Sequence, residues 1–328
     1  MNKRSVYVTG GAGYVGSALV PKLLNAGYIV TVLDLMIYGE DVLPPHPSLN
    51  LIKGDIRDKK LLKSTIRGHQ NLIHLACISN DPSFELNPKL GKSINLDAFT
   101  PLVEISKDSG VERFVYASSS SVYGIKQEND VHEEMSLEPL TDYSKFKAEC
   151  EKILQEYQDD NFTTTTLRPA TVCGYAKRQR LDVVVNILTN LAYHKKEITV
   201  FGGSQLRPNI HIEDMVDAYL CILNSPKNKI DGQIFNVGSE NYSVIELAEM
   251  VKEEVGGDVK LTISETDDLR SYHISSQKIL RELNFATSRS IRKASADLVK
   301  AFSDGLLQNS LNDERYFNIK KMQSIHLE

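Results

Sequence analysis

Short apolar runs at 5–9, 29–33, 49–53, 71–75, 113–117 and 163–167 alternate with stretches at 14–26, 59–68, 91–109 and 143–158 whose apolar residues recur at helical spacing. Strand, helix, strand repeated in this way predicts a doubly wound parallel α/β domain, its strands covered by helices. After Pro169 the alternation fades into a helix at 182–194, a short strand at 198–201, a helix at 212–224, a strand at 234–237 and a helix at 243–255. This part predicts a smaller C-terminal α/β lobe over the carboxyl edge of the sheet, where such folds bind ligands. The polar stretch from Asn309 onward is expected to be loosely held.

A chain of 328 residues can bury a substantial core, and its length suits one large domain or two closely joined ones. The formal charge of −5 and the scattered Lys and Arg residues make no basic stripe, which argues against nucleic acid or an anionic membrane as partner. Cys77, Cys150, Cys173 and Cys221 are far apart and form no C-x-x-C pair, so neither a metal site nor a disulfide framework is expected. No apolar run is long enough to span a bilayer, and Met1-Asn2-Lys3-Arg4 passes directly into a strand-like run; a cytoplasmic location is expected.

The candidate chemistry begins where Val6-Tyr7-Val8-Thr9 runs into Gly10-Gly11-Ala12-Gly13-Tyr14-Val15-Gly16. A G-x-G-x-x-G between a predicted strand and a predicted helix is a dinucleotide-binding signal. Gly11 is expected to make the tight turn, Gly13 to let backbone N–H groups approach a pyrophosphate, and Gly16 to let helix and strand pack closely. Asp34 ends the second strand roughly 20 residues on, where a carboxylate accepts both ribose hydroxyls and repels a 2′-phosphate. With no Arg or Lys among Leu35-Met36-Ile37-Tyr38, NAD is expected rather than NADP. The expected division is a Rossmann domain over 1–172, with a return contribution from about 208–237, and a substrate-binding lobe over 173–328. Further along, the strand at 113–117 ends in Ser118-Ser119-Ser120-Ser121, and a predicted helix carries Tyr143 and Lys147. Residues four apart share a helix face, and an ammonium beside a phenol favours the phenolate, a usable general base.

Taken together these residues resemble the extended short-chain dehydrogenase/reductase family, the nucleotide-sugar epimerases and dehydratases. Thr9 to Gly16 match its T-G-G-x-G-x-x-G loop, Ser118 to Gly124 with Tyr143 and Lys147 match its S-S-S-x-V-Y-G and Y-x-x-x-K elements, and the likeness runs over almost the whole chain. The resemblance implies a cofactor site at Gly10, Gly11, Gly13, Tyr14, Val15, Gly16 and Asp34, with Asp55 and Ile56 bordering the adenine. It adds Leu75 and Ala76 from the H-L-A-A strand end, Asn95 from an N-x-x-x-T/G helix element, and Pro169-Ala170 beside the nicotinamide carboxamide. His74 is read as a packing residue. Ser119 is implied as the catalytic hydroxyl beside Tyr143 and Lys147, with Ser118 and Ser120 either supporting it from behind or touching the substrate.

The implied chemistry is exchange of hydride between NAD and C4 of a nucleotide-diphosphate sugar. Dehydratases of the family carry T-D-E where this chain has Ser119-Ser120-Ser121, so elimination would lack its acid and base and 4-epimerisation is the leading expectation. Arg207 resembles the family's diphosphate-binding arginine, and Arg180, in the basic run 177–182, is a further substrate candidate. The chain departs from the pattern at Thr171, where many members have Asn, and at Glu265, where many epimerases have an arginine that Arg270 is expected to replace. These departures resemble a branch of surface-polysaccharide enzymes, which keeps a C4 dehydrogenase or reductase as a rival; a non-catalytic NAD-binding protein is a third reading. A homodimer through the helices at 91–109 and 143–158 is what the resemblance implies for assembly.

Overall fold

The chain enters β1 (Ser5–Thr9), turns through glycines into α1 (Tyr14–Asn25), and returns as β2 (Ile29–Asp34) and β3 (Leu49–Lys53). Then follow α2 (Lys59–Thr65), β4 (Asn71–His74), α3 (Asp81–Glu85), α4 (Pro88–Lys92), α5 (Phe99–Asp108), β5 (Arg113–Ala117), α6 (Asp142–Glu156) and β6 (Thr163–Pro169). The second part holds β7 (Thr171–Cys173), α7 (Val184–Lys195), β8 (Glu197–Phe201), β9 (Leu206–His211), α8 (Ile212–Asn224), α9 (Lys227–Ile230) and β10 (Gln233–Val237). The last elements are β11 (Glu240–Ser243), α10 (Val244–Val255), β12 (Lys260–Ser264), α11 (Gln277–Leu283), α12 (Ile291–Ser303) and α13 (Asn318–Ser324). The computed structural model describes residues 4–325 and 327, apart from 80, 129, 267–270 and 272.

Seven strands pair in parallel in the order β3-β2-β1-β4-β5-β6-β10. The chain builds outward from β1 to β3, then jumps back to place β4 on β1's other side, which opens a crevice at the carboxyl ends of β1 and β4. Both faces of the sheet are buried. Val6 and Val8 point into one core with Leu19, Leu23, Met215 and Tyr219 of α1 and α8; Tyr7 points into the other with Leu62, Leu102 and Leu154 of α2, α5 and α6. Covering both faces is why β1, β2 and β5 read as near-continuous buried runs. β10, which follows the first strands of the second part, pairs in parallel with β6 at the edge of the sheet.

The smaller lobe is a three-stranded sheet, β11-β9-β7, and a parallel β12–β8 pair. Val185 and Leu188 of α7, Leu247 and Val251 of α10, and Ile291 and Ala294 of α12 share its core. Two expectations change. The helix predicted over 91–109 is α4 and α5 joined by a π-helical turn (Ser93–Asp97), whose wide Ala98 N–H to Ser93 carbonyl bond inserts one residue and turns Asn95 inward. The stretch from Asn309 onward is docked rather than loose: Asn318 is 4% exposed, and Met322 and Leu327 pack against the core that holds Ile56 and Ile94. Its anchors are single polar side chains with distant partners, which a local polar composition hides.

Candidate active site

The turn after β1 needs glycine at Gly10, whose φ is +75° and where a Cβ would lie 2.5 Å from the Ala76 nitrogen. Gly10, rather than Gly11, thus supplies the turn; Gly11 lies against Val32, where a Cβ would meet its methyls at 2.8 Å. A Cβ on Gly16 would strike the Gly11 carbonyl, so that glycine permits the helix to sit on the loop. Gly10, Gly13, Tyr14, Val15 and Gly16 line a large cavity at the sheet's carboxyl edge. The first-turn N–H groups of a helix have no intrahelical acceptors, so the start of α1 offers this cavity an anion site.

Asp34 closes β2 beside it. Its Oδ2 accepts the Ala12 N–H at 2.9 Å and its Oδ1 the Met36 N–H at 2.8 Å, and each oxygen retains capacity for a ribose hydroxyl. Burial raises the Asp34 carboxyl above its ordinary value, with the two N–H donors and Arg178 opposing. Asp55 and Ile56 border the cavity with Leu75 and Ala76. The Asp55 carboxylate is gripped by Arg57, with Nη2 to Oδ2 at 2.6 Å; burial raises its carboxyl, but these hydrogen bonds win and hold it low. Asn95 stands behind the wall: its amide accepts the Ile78 N–H at 2.8 Å and donates to the Ile78 carbonyl at 2.9 Å, bracing the loop that carries Leu75 and Ala76.

At the other end of the cavity lie Ser118, Ser119, Ser120, Ser121, Tyr143, Lys147, Pro169, Ala170 and Thr171. Helix α6 starts just before Tyr143 because Thr141 caps it: the Thr141 hydroxyl accepts the Ser144 N–H, and Ser144 Oγ accepts the Thr141 N–H. Lys147, 5% exposed, donates to the Ala117 carbonyl at 2.6 Å and lies 5.9 Å from the centre of the Tyr143 ring. Ser119 has extended backbone, and its Oγ accepts the Ser121 N–H and sits 2.9 Å from Ser121 Oγ. His74 is held by Thr9, Nδ1 to Oγ1 at 2.7 Å, and burial with the nearby Lys147 charge pushes its pKa down to about 3. A neutral, enclosed imidazole of this kind packs rather than transfers protons.

Ser118 borders the cavity, yet its hydroxyl donates away from it to Glu151. Glu151 pairs with Arg168 at 2.6 Å, both side chains 3% exposed; Arg168 donates to Tyr123 Oη at 2.8 Å, and Tyr123 donates to Asn236 at 2.7 Å. This buried network supports the serine loop from below. The sequence reading missed it, although Glu151 stands four residues after Lys147 on the same inward face of α6.

Arg180 lines the cavity, its Nε bound to Asp182 at 2.6 Å and its Nη1 to Ser79 Oγ at 3.3 Å. Arg207 is placed elsewhere: it lies on β9 opposite Tyr242 of β11, with Nη1 donating to the Leu206 carbonyl, and is not among the cavity-lining residues. Arg270 lies outside the described residues. Arg178, part of the basic run 177–182 that the sequence leaves open to a phosphate or base contact or to a solvated face, lines the cavity near Asp34. Among the described residues no group of three or more His, Cys, Asp or Glu side chains is placed to hold a metal ion, and no helix is long and apolar enough to cross a membrane.

A cradle for a pyrophosphate, an acceptor for ribose hydroxyls, and a hydroxyl, phenol and ammonium at one cavity end suit a nicotinamide-dependent enzyme. Residues 6–238 match the model of the NAD dependent epimerase/dehydratase family, and the chain belongs to that family. It is 28% identical over 277 residues to a UDP-glucose 4-epimerase of Lactobacillus helveticus, covering 79% of this chain and 84% of the relative. Among solved structures it is similar to MoeE5 in complex with UDP-glucuronic acid and NAD, at 27% identity and a TM-score of 0.82, covering 92% of this chain and 99% of that one. A UDP-glucose 4-epimerase with UDP-glucose from Thermotoga maritima gives 25% identity and a TM-score of 0.82 with the same coverage. The cofactor is NAD, as the glycine loop and Asp34 led one to expect.

Proposed function

We propose that the protein is an NAD-dependent nucleotide-sugar 4-epimerase that acts through a transient 4-keto sugar. The observation that carries this reading is the hydroxyl triplet Ser119-Ser120-Ser121 at the catalytic end, where an eliminating enzyme needs an acid and a base. Bound NAD supplies the acceptor and donor of the C4 hydride. Tyr143, as phenolate, takes the proton of the sugar's C4 hydroxyl while the C4–H electron pair leaves with the hydride, so that a ketone remains. Ser119 donates a hydrogen bond to the same oxygen. Lys147, anchored by the Ala117 carbonyl, lies beside the phenol and has further N–H donors for a ribose hydroxyl. The ketone then turns its other face inward, hydride returns to C4, and Tyr143 gives the proton back to the oxygen. Thr171 and Arg180 are the residues we assign to the substrate side.

The relatives' named substrates favour a UDP-sugar. A thermal-shift screen of UDP-, GDP-, dTDP- and CDP-hexoses, followed by NMR of the sugars that bind, tests the reading; no C4 epimer from any of them would sink it. Thr171, in place of the family's common Asn, favours a second reading, a C4 dehydrogenase of surface-polysaccharide synthesis that releases the ketone. Net accumulation of NADH with a 4-keto product would select it. For assembly we propose a homodimer through α5 and α6, located in the cytoplasm. Light scattering should then give twice the 36.7 kDa chain mass.

A further inference from the structure

We propose that Arg178 and α13 form a clamp over the bound dinucleotide, Arg178 meeting its pyrophosphate and Asn318 locking the arginine in place. The proposal rests on the NAD site alone, so failure of the epimerase reading would leave it standing.

Arg178 is 4% exposed and lines the cavity, and its buried Nε has no hydrogen-bond partner. A buried guanidinium with an unused donor is costly unless an anion completes it. No carboxylate forms an ion pair with Arg178 among the described residues: Asp182 is taken by Arg180, and Asp34 is bound by two backbone N–H groups. Arg178 is fixed at three points, two on its guanidinium and one on its backbone N–H. Its Cζ lies 3.5 Å from the centre of the Tyr38 ring, Nη2 donates to Asn318 Oδ1 at 2.6 Å, and the backbone N–H of Arg178 donates to Ser17 Oγ at 3.1 Å. Ser17 belongs to the first turn of α1, so Arg178 is tied to the helix start that offers its N–H groups to a phosphate. A pyrophosphate held there would have backbone donors on one side and a guanidinium within the same cavity.

Asn318 ties its helix to three distant segments. Its Oδ1 also accepts the Tyr38 hydroxyl at 3.0 Å, its Nδ2 donates to Ser79 Oγ at 2.9 Å, and its N–H donates to Asp182 at 2.7 Å. Behind it Met322 and Leu327 line the cavity and share a core with Ile56, on the side expected for the adenine. The segment therefore closes the cofactor end of the cavity while leaving Ser119 and Tyr143 uncovered. A retained cofactor suits chemistry in which the same NAD gives back what it accepts.

The test is the dissociation rate of NADH from the full-length protein, followed by loss of its fluorescence after a chase with excess ADP-ribose, at low and high salt. Arg178→Met should release NADH about 10-fold faster or more and lose most of the salt dependence, with Arg178→Lys in between. Asn318→Ala should also release it faster, whereas Arg292→Met, at an exposed position on α12, should match the wild type. A rate for Arg178→Met within about twofold of wild type overturns the proposal, as does an effect confined to NADPH, which would mean that the guanidinium reads a 2′-phosphate. Hydrogen exchange on the unaltered protein gives an independent check: amides of 318–324 should gain protection when NADH binds, and unchanged protection would overturn the role given to α13.

Discussion

Tyr143 and Lys147 meet because one helical turn separates them and a Thr141 cap sets where that turn begins. Local spacing of this kind is legible in sequence, as were the glycines of the first turn and the carboxylate of Asp34. The link between Arg178 and Asn318 was not, because 140 residues separate them: the basic run holding Arg178 reads equally as a phosphate contact or a solvated face, and Asn318 alone looks like a solvated polar side chain. Tyr143→Phe should lower turnover by about 10²–10⁴-fold, the usual worth of a general acid–base group, while NADH fluorescence titration shows cofactor still bound. Retained activity would remove Tyr143 from the chemistry. His74 makes a second prediction. The unfolded chain takes up this proton near 6.5 and the folded chain only near 3, so the unfolded state binds more protons between these values. The stability contributed by neutral His74 is full above pH 6.5 and is lost as the pH falls toward 3. Urea unfolding of His74→Gln should therefore depend less steeply on pH below 6.5 than the wild type; equal slopes would contradict the assignment.

The β5–α6–β6 unit carries the catalytic end, and Glu151 and Arg168 bind its parts together beneath Ser118. Removing one partner of a buried ion pair leaves the other charge unpaired, so Glu151→Ala should lose about 3–5 kcal/mol of stability in urea unfolding. A loss of under about 1 kcal/mol would show that the pair is dispensable. The central first-half strands β1, β2 and β5 were readable because they are buried on both faces and their apolar runs are nearly continuous. The π-helical turn at Asn95 was not, since one inserted residue barely alters an apolar repeat read over two turns. Nor were β7, β9, β11 and β12, whose short stretches include Arg207-Pro208-Asn209 and owe their pairing to neighbours rather than to propensity.

Across the whole molecule, sheet order brings the glycine loop, Asp34, the serine loop and the ends of β4 and β6 to one edge, so a single crevice can hold both cofactor and sugar. The second part of the chain contributes Arg178, Arg180 and the docked Asn318 to the same cavity; the basic run 177–182 pointed to the arginines, while no local pattern encodes the place of Asn318. The hydroxyls of Ser119, Ser120 and Ser121 at the catalytic end lead to the central claim, that hydride leaves C4 and returns to its opposite face without leaving the protein. The most direct measurement uses nucleotide hexoses carrying deuterium at C4, with NMR of the sugar and absorbance of NADH followed together. The account predicts a C4-inverted sugar that retains its deuterium, with no net NADH. Released 4-keto sugar with stoichiometric deuterated NADH, or an inverted sugar that has lost its deuterium to solvent, would contradict it.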